Sequence, residues 1–274
     1  LDDKLSKYFL EDTLHHLHLH KGTDYTTALT ISQLLCKTSG LPDVFEEGAS
    51  SIRKRVIEED IGFSFDEIIT MTKEMKTHFA PVSGKRAHYA DINFDLLGKI
   101  IETVTHLPLN EAFMKLIYSP LGLKETYIPT SEADFVPLVY LRNSALHRPK
   151  FIGSHGASGG IVSTARELMV FLKAFFGGKL FDSAVFNDWD VSNKLQASMF
   201  PIRYGAGYMR IPLGGLGTLF MGKGELIGHS GSSGSFAFYY PDKDLFFVGD
   251  VNQMMSPAIP VRMVMQLAMG VGKR

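Results

Sequence analysis

The period of the apolar residues changes along this chain, and that change limits the folds open to it. In the middle it is helical. After Tyr89-Ala-Asp91, residues Leu96, Leu97, Ile100, Ile101 and Val104 fall on one stripe of a helix. Thr30-Ile-Ser-Gln33 and Thr164-Ala-Arg-Glu167 read as capping boxes, in which a hydroxyl and an acid or amide satisfy the first free backbone donors. The first opens an apolar face at Leu34 and Leu35, stopped by Ser39-Gly-Leu-Pro42. The second opens a face of Leu168, Phe171, Leu172 and Phe175, stopped by Gly177 and Gly178. The spacing predicts another amphipathic helix from Phe65 to Met75, and Asn110 is expected to cap a short helix carrying Phe113, Met114 and Ile117.

At the C-terminal end the period becomes two. Leu226 to Gly231 is strand-like, and Ser235 to Tyr240 alternates with Phe236, Phe238 and Tyr240 on one face. Pro241-Asp-Lys-Asp244 supplies a turn. Leu245 to Val251 is almost continuously apolar and is expected to be a central strand. A last helix after Pro257 and Pro260 aligns Val261, Val264, Met265 and Ala268. Helices in the middle and strands at the end imply an α+β fold, an antiparallel sheet flanked by helices with a mainly helical insertion. The expected division is a sheet-containing part, 1–25 with 200–274, and a mainly helical part, 26–199.

Charge narrows the function. The 28 Lys and Arg against 29 Asp and Glu give 28 − 29 = −1, which disfavours nucleic acid and polybasic membrane binding. With 45% hydrophobic and 21% charged residues the chain suits a packed core. No run reaches the roughly 18 apolar residues of a membrane span. A single cysteine, Cys36, excludes an internal disulfide or a multi-cysteine zinc site.

Several segments, in order across the chain, resemble the serine β-lactamase and penicillin-binding protein superfamily, closest to its class C and esterase-like branch. Leu34-Leu-Cys-Lys-Thr-Ser-Gly-Leu-Pro42 is similar to L-L-x-x-T-S-G-L-P. Tyr89-Ala-Asp91 is similar to Y-x-N, and Tyr118-Ser-Pro-Leu-Gly-Leu123 to the following P-L-G turn. Ser158-Gly-Gly-Ile-Val-Ser-Thr-Ala-Arg-Glu167 matches G-G-[LI]-x-S-T-A-x-[DE], Tyr204-Gly-Ala-Gly207 matches Y-G-x-G, and Gly228-His-Ser-Gly231 stands where the family has K-T-G or H-x-G. The resemblance implies a β-lactamase/transpeptidase-like fold and acyl transfer through an acyl-serine, on an ester, a β-lactam or a D-amino-acid peptide. The partner is then a small molecule or short peptide, with no metal or organic cofactor required.

The family's nucleophile lies in S-x-x-K, ahead of the segment that here reads Leu1-Asp-Asp3, so it is expected upstream of Leu1 and the chain as given is expected to be inactive. Ser51-Ile-Arg-Lys54 fits the pattern in the wrong order, and Thr70-Met-Thr-Lys73 has the wrong residue type. Of the remaining site residues, the resemblance makes Tyr89 a proton shuttle, provided a neighbouring cation stabilises its anion. The alternative is a tyrosine packed at a helix start. Asp91 replaces an amide donor with a group that only accepts when ionised, and it either meets substrate or caps the next helix. His229 replaces a permanent cation with a group that titrates near neutrality, unless it is simply buried at a strand bend. Ser230 and Gly231 follow on the strand, and the Ser232 N–H maps to the oxyanion hole, where such donors contribute roughly 3–4 kcal/mol. Tyr89 and His229 should face each other across one cleft.

Other readings stay open. His16, His18 and His20 would share a face on a strand and could bind a transition metal, or form an edge strand or loop. Gly156-Ala-Ser158-Gly-Gly160 matches the nucleophile elbow of α/β-hydrolases, with Asp182 or Asp250 and His229 as partners, and requires a strand immediately before it. A third reading is a ligand-binding relative without catalysis.

Overall fold

The start signals work largely as the sequence implies. In the computed structural model, which describes residues 1–81, 85–215 and 222–271, Thr30 caps α1 (Ile31–Leu35) with a complete capping box. Ser64 and Glu67 form a second complete box at α3 (Phe65–Lys73), after α2 (Ile52–Glu58). At α6 (Ala165–Phe176) only half of the box forms. Thr164 accepts the Glu167 N–H, but the Glu167 carboxylate accepts from the Lys124 and Glu125 N–H groups and the Thr126 hydroxyl. It thereby ties the helix to the turn before it. Asn110 is not a cap. Helix α5 (Leu109–Phe113) begins two residues earlier, with Pro108 at the capping position, where a fixed φ suits a helix entry.

The central helix α4 (Ile92–Thr105) buries Ile92, Leu96 and Ile100. Its last expected stripe residue, Val104, is 59% exposed. A stripe at this spacing drifts around the helix, so its end turns away from the core. Close approach on α4 is secured by Gly98, where a Cβ would lie 2.7 Å from Ala157. Together with Leu34, Leu41, Phe45, Ile52, Val56 and Phe151, these residues form one apolar core.

The second core is built on a six-stranded antiparallel sheet in the order β6-β5-β4-β3-β2-β1. The strands are β1 (Asn193–Lys194), β2 (Arg203–Tyr204), β3 (Met209–Pro212), β4 (Glu225–Ser230), β5 (Ser235–Tyr240) and β6 (Leu245–Asp250). Phe236, Phe238 and Tyr240 are buried. They meet Val261, Val264, Met265 and Ala268 of α7 (Ala258–Gly270). The α+β architecture is thus as expected. The apolar strand β6 is at the sheet edge, not the centre. An apolar run reports that a strand is covered on its faces, and helix α6 covers this one. Lateral order is set by pairing, which composition does not encode.

The first residues of the chain contribute to the helical core. Leu5, Leu14 and Leu17 pack in the helical core, and the short hairpin of Leu19–His20 with Thr23–Asp24 stands apart from the main sheet. A division into domains at 25 and 200 is kept only as a proposal. The two roles on α4 give a direct check by chemical denaturation. Leu96→Ala should cost about 2–5 kcal/mol, whereas Val104→Ala should stay within about 0.5 kcal/mol.

Candidate active site

The site is assembled by the segment 34–42, which docks between α4 and the sheet. Gly40 has φ +80°, and a Cβ there would sit 2.1 Å from the Phe79 carbonyl oxygen. Only glycine allows that approach. Ser39 Oγ donates to Asn93 Oδ1 at 2.6 Å, and Asn93 Nδ2 donates to the Ala90 carbonyl at 2.9 Å. The His88 N–H donates to the Lys37 carbonyl at 2.9 Å. On the other side the Gly207 N–H donates to the Leu35 carbonyl at 3.1 Å. The segment therefore holds the loop carrying Tyr89 against the turn after Tyr204.

Lys37, which the sequence reading passed over, stands at the centre and is 1% exposed. Its Nζ donates to the Ala90 carbonyl at 3.1 Å, lies 3.8 Å from Asp91 Oδ1 and sits 3.5 Å above the Tyr89 ring centroid. Burial pushes its pKa down, while Asp91, Asp43 and Asp95 oppose that shift. Asp91 occupies the N-cap position of α4, yet its side chain makes no cap hydrogen bond. The carboxylate instead faces Lys37 and His155 Nε2, the latter at 3.7 Å. Burial acts to raise its pKa, but His155 and Lys37 outweigh it and hold the carboxyl below its ordinary range. Asp43 behaves oppositely. Burial and the nearby Asp91 push it well above that range. Asp95 is raised to about 6, chiefly by burial, and accepts from Ser158 Oγ. Adjacent carboxyls whose protonation is driven apart in this way are characteristic of functional sites.

Tyr89 and His229 meet as expected, with Tyr89 Oη 3.5 Å from His229 Nε2. Tyr204 Oη lies 3.5 Å from the same nitrogen. His229 Nδ1 is 3.0 Å from the Ser230 carbonyl, which can only accept. Nδ1 therefore carries the proton and Nε2 presents a lone pair to the two phenols. Contrary to the expected titration near neutrality, His229 is lowered to about 4, by burial first and by the Lys37 charge second. Tyr89 is pushed well above its ordinary pKa of 10.0, first by burial and then by Asp91. The Lys37 cation lies over the Tyr89 ring face and does not overcome these effects.

The remaining expected residues follow on the strand. Ser230 contributes its carbonyl, and its Oγ reaches Met209 Sδ at 4.0 Å. Gly231 begins a tight turn in which its N–H donates to the Ser235 carbonyl at 2.8 Å and its carbonyl accepts from the Gly234 N–H at 3.1 Å. The Ser232 N–H has no hydrogen-bond partner among the described residues.

The alternative motifs do not assemble a site among the described residues. Lys54 Nζ donates to the Gly48 and Ala49 carbonyls, and Thr70 Oγ1 donates to the Asp66 carbonyl within its own helix. Ser158 lies in a helical turn, Gly156–Gly159, directly after the helix Pro149–Ser154. A helix and not a strand comes immediately before it, so the nucleophile elbow is not formed. His16 Nδ1 pairs with Asp24, His20 Nδ1 meets Thr77 Oγ1, and His18 is fully buried. Those three histidines do not converge on one ion.

Comparison with known proteins gives the family and the fold. The chain matches the β-lactamase family over residues 1–267 and belongs to that family. It is 25% identical over 289 residues to a putative D-alanyl-D-alanine carboxypeptidase of Escherichia coli K12, covering 93% of this chain and 63% of that protein. The chain thus spans under two thirds of that relative's length. Its fold is similar to a D-stereospecific amidohydrolase from Streptomyces, with TM-score 0.73 and 23% identity over 100% of this chain and 80% of that one. It is also similar to an octameric penicillin-binding protein homologue from Pyrococcus abyssi, with TM-score 0.76 and 24% identity over 100% of this chain and 60% of that one. No helix among the described residues is long and apolar enough to cross a membrane.

The shifts at His229 and Asp95 make opposite contributions to stability. Relative to 6.5 unfolded, a folded value of about 4 for His229 gives a contribution present above pH 6.5 and lost as pH falls toward 4, roughly 3 kcal/mol in full. Relative to 3.8, a folded value of about 6 for Asp95 gives one present below pH 3.8 and lost as pH rises toward 6. The two largely cancel in the native chain. Urea titrations across pH 4–6.5 should separate them. Compared with the parent, His229→Gln should lose a rising component and Asp95→Asn a falling one.

Proposed function

We propose that this chain forms most of the active centre of a serine hydrolase that transfers an acyl group through an acyl-serine. The substrate is a small ester or amide, including D-amino-acid peptides. The observation that carries the reading is the 3.5 Å approach of Tyr89 Oη and His229 Nε2. It joins two family motifs far apart in sequence, beside a turn whose Ser232 N–H has no partner among the described residues. In the proposed reaction Tyr89 acts as a phenolate, its own proton lost once a second lysine stands at its hydroxyl. A serine oxygen bonds to the substrate carbonyl carbon as the serine proton passes to that phenolate. The Ser232 N–H donates to the resulting oxyanion. The tyrosine proton then goes to the departing alcohol or amine, and water releases the acid by the reverse path.

The attacking serine is proposed to come from a S-x-x-K segment outside residues 1–274. Two features support this. Ser51 has no lysine partner in Lys54, and Ser158 donates to Asp95. Moreover, Tyr89 is a poor base as described, with a pKa well above 10.0. A second lysine placed at the hydroxyl, rather than over the ring, would stabilise the phenolate. Asp91 is proposed to set the charge of Lys37 and His155 instead of meeting the substrate. Its carboxylate already lies between those two cations, at 3.8 and 3.7 Å.

Labelling with a fluorescent fluorophosphonate tests this reading. Residues 1–274 alone should remain unlabelled, and a chain carrying a S-x-x-K segment ahead of Leu1 should label at that serine. Tyr89→Phe in the longer chain should lower the acylation rate by about 10²–10⁴-fold, the usual contribution of a positioned acid–base group. Labelling at Ser51 or Ser158 would give the nucleophile to a different residue. A longer chain that binds substrate analogues but never labels would make the protein a binding relative.

A further inference from the structure

Beside this centre lies a second cluster that the proposed acyl transfer does not use. Glu47, His78 and His88 each offer one ligand-type atom, and all three atoms lie within 4.8 Å of one another. His78 Nε2 lies 3.0 Å from Glu47 Oε2, and His88 Nε2 lies 2.5 Å from Glu47 Oε1. The two imidazoles stack with centroids 3.6 Å apart and an interplanar angle of 24°. Two nitrogens and a carboxylate are thus brought together from three separate segments. Side-chain exposure is 29% for Glu47, 33% for His78 and 9% for His88. The cluster is anchored on its inner side and open to solvent on the outer.

We propose that Glu47, His78 and His88 bind a first-row divalent cation of the zinc type and that the ion clamps the loop carrying Tyr89. The donor set argues for the class of ion. Two imidazoles and one carboxylate suit zinc and its neighbours, while magnesium and calcium take oxygen ligands. The geometry argues for the fit. Bonds of about 2.0–2.1 Å in a tetrahedral site place donors roughly 3.3 Å apart. The His78–Glu47 separation of 3.0 Å is already near that value, and the 2.5 Å between His88 Nε2 and Glu47 Oε1 has to open by less than about 1 Å, which the partly exposed Glu47 side chain can supply. The fourth position faces solvent and is left to water.

The clamp follows from what each ligand is attached to. His88 precedes Tyr89 directly, and its N–H is held by the Lys37 carbonyl. The His78 N–H donates to the Gly40 carbonyl at 2.9 Å. The Glu47 N–H donates to the Asp43 carbonyl at 2.9 Å, and Asp43 Oδ1 accepts the Asp91 N–H at 3.4 Å. An ion joining the three side chains would cross-link the segments that fix Lys37, Tyr89 and Asp91. The inference stands on these contacts and does not depend on which serine is acylated.

The test uses Zn²⁺ itself, added to the whole chain after chelator treatment and followed by competition with a chromophoric chelator. One equivalent should bind, and Co²⁺ in its place should give the visible absorption of a low-coordinate N,O site. His78→Ala alters an exposed side chain and leaves the core intact. It should weaken Zn²⁺ binding at least about tenfold and abolish the Co²⁺ band, with an unchanged circular dichroism spectrum. Glu47→Gln should do the same, and His16→Ala should change neither. Amide hydrogen exchange at His88 should slow on adding Zn²⁺ to the parent chain and not to His78→Ala. Equal affinity in the parent and His78→Ala, or loss on His16→Ala, overturns the site. Zn²⁺ binding that leaves His88 exchange unaltered overturns the clamp.

Discussion

The buried ammonium of Lys37 is the interaction on which the rest of this structure depends. A lysine that is 1% exposed is tolerated only when its lost hydration is replaced. Here the replacement has three parts: the Ala90 carbonyl, the Asp91 carboxylate and the faces of Tyr89, Phe94 and Tyr204. Removing one partner from a buried ion pair typically costs 3–5 kcal/mol, since the other charge is left without compensation. Every element around the site is therefore positioned by a requirement of one cation. The loop 88–91 must present a carbonyl and a carboxylate, and α4 must begin where it does. The sheet must bring Tyr204 close enough to complete the enclosure.

The same cation orders protonation across the cluster. It helps keep His229 neutral and Asp91 ionised. Asp91, once ionised, pushes protons onto Asp43 and raises His155. A neutral acceptor at His229 Nε2, between two phenols, is what a proton relay needs at that point. A cation there would repel the proton being passed. The carboxyls behind it act as a reservoir of charge that is shielded from water by the helical core.

Much of this architecture could be read in the sequence, for identifiable reasons. Strands β4 and β5, α7 and the start of α1 follow from local period and capping chemistry, which act over a few residues. Tyr89 and His229 were legible because they sit in spaced motifs. Lys37 was not, although it lies inside Leu34-Leu-Cys-Lys-Thr-Ser-Gly-Leu-Pro42, because nothing local marks a lysine as buried. Its environment is made by residues around 90 and 204. Asp43, Asp95 and His155 were missed for the same reason, as was the meeting of Glu47, His78 and His88. The edge position of β6 escaped too, since lateral strand order is a long-range property. Conversely, the histidines at 16, 18 and 20 looked suggestive only while they were imagined on one strand. The backbone there turns, with His16 at φ +59°, and separates them.

The substitution of Asp for Asn at position 91 then has a physical account. An amide there would offer Lys37 only a dipole, while a lysine withdrawn this completely from water needs a full opposing charge. The two residues lie on different elements, and each would be unfavourable without the other. A lone Asp91 would face the carboxyls of Asp43 and Asp95 with only His155 to offset them. Without Asp91, Lys37 would lose its nearest counter-charge and keep only the Ala90 carbonyl, the aromatic faces and the weaker influence of Asp43 and Asp95. The departure at 91, which taken alone suggests a change in substrate contact, is matched by a counter-charge at position 37, 3.8 Å away.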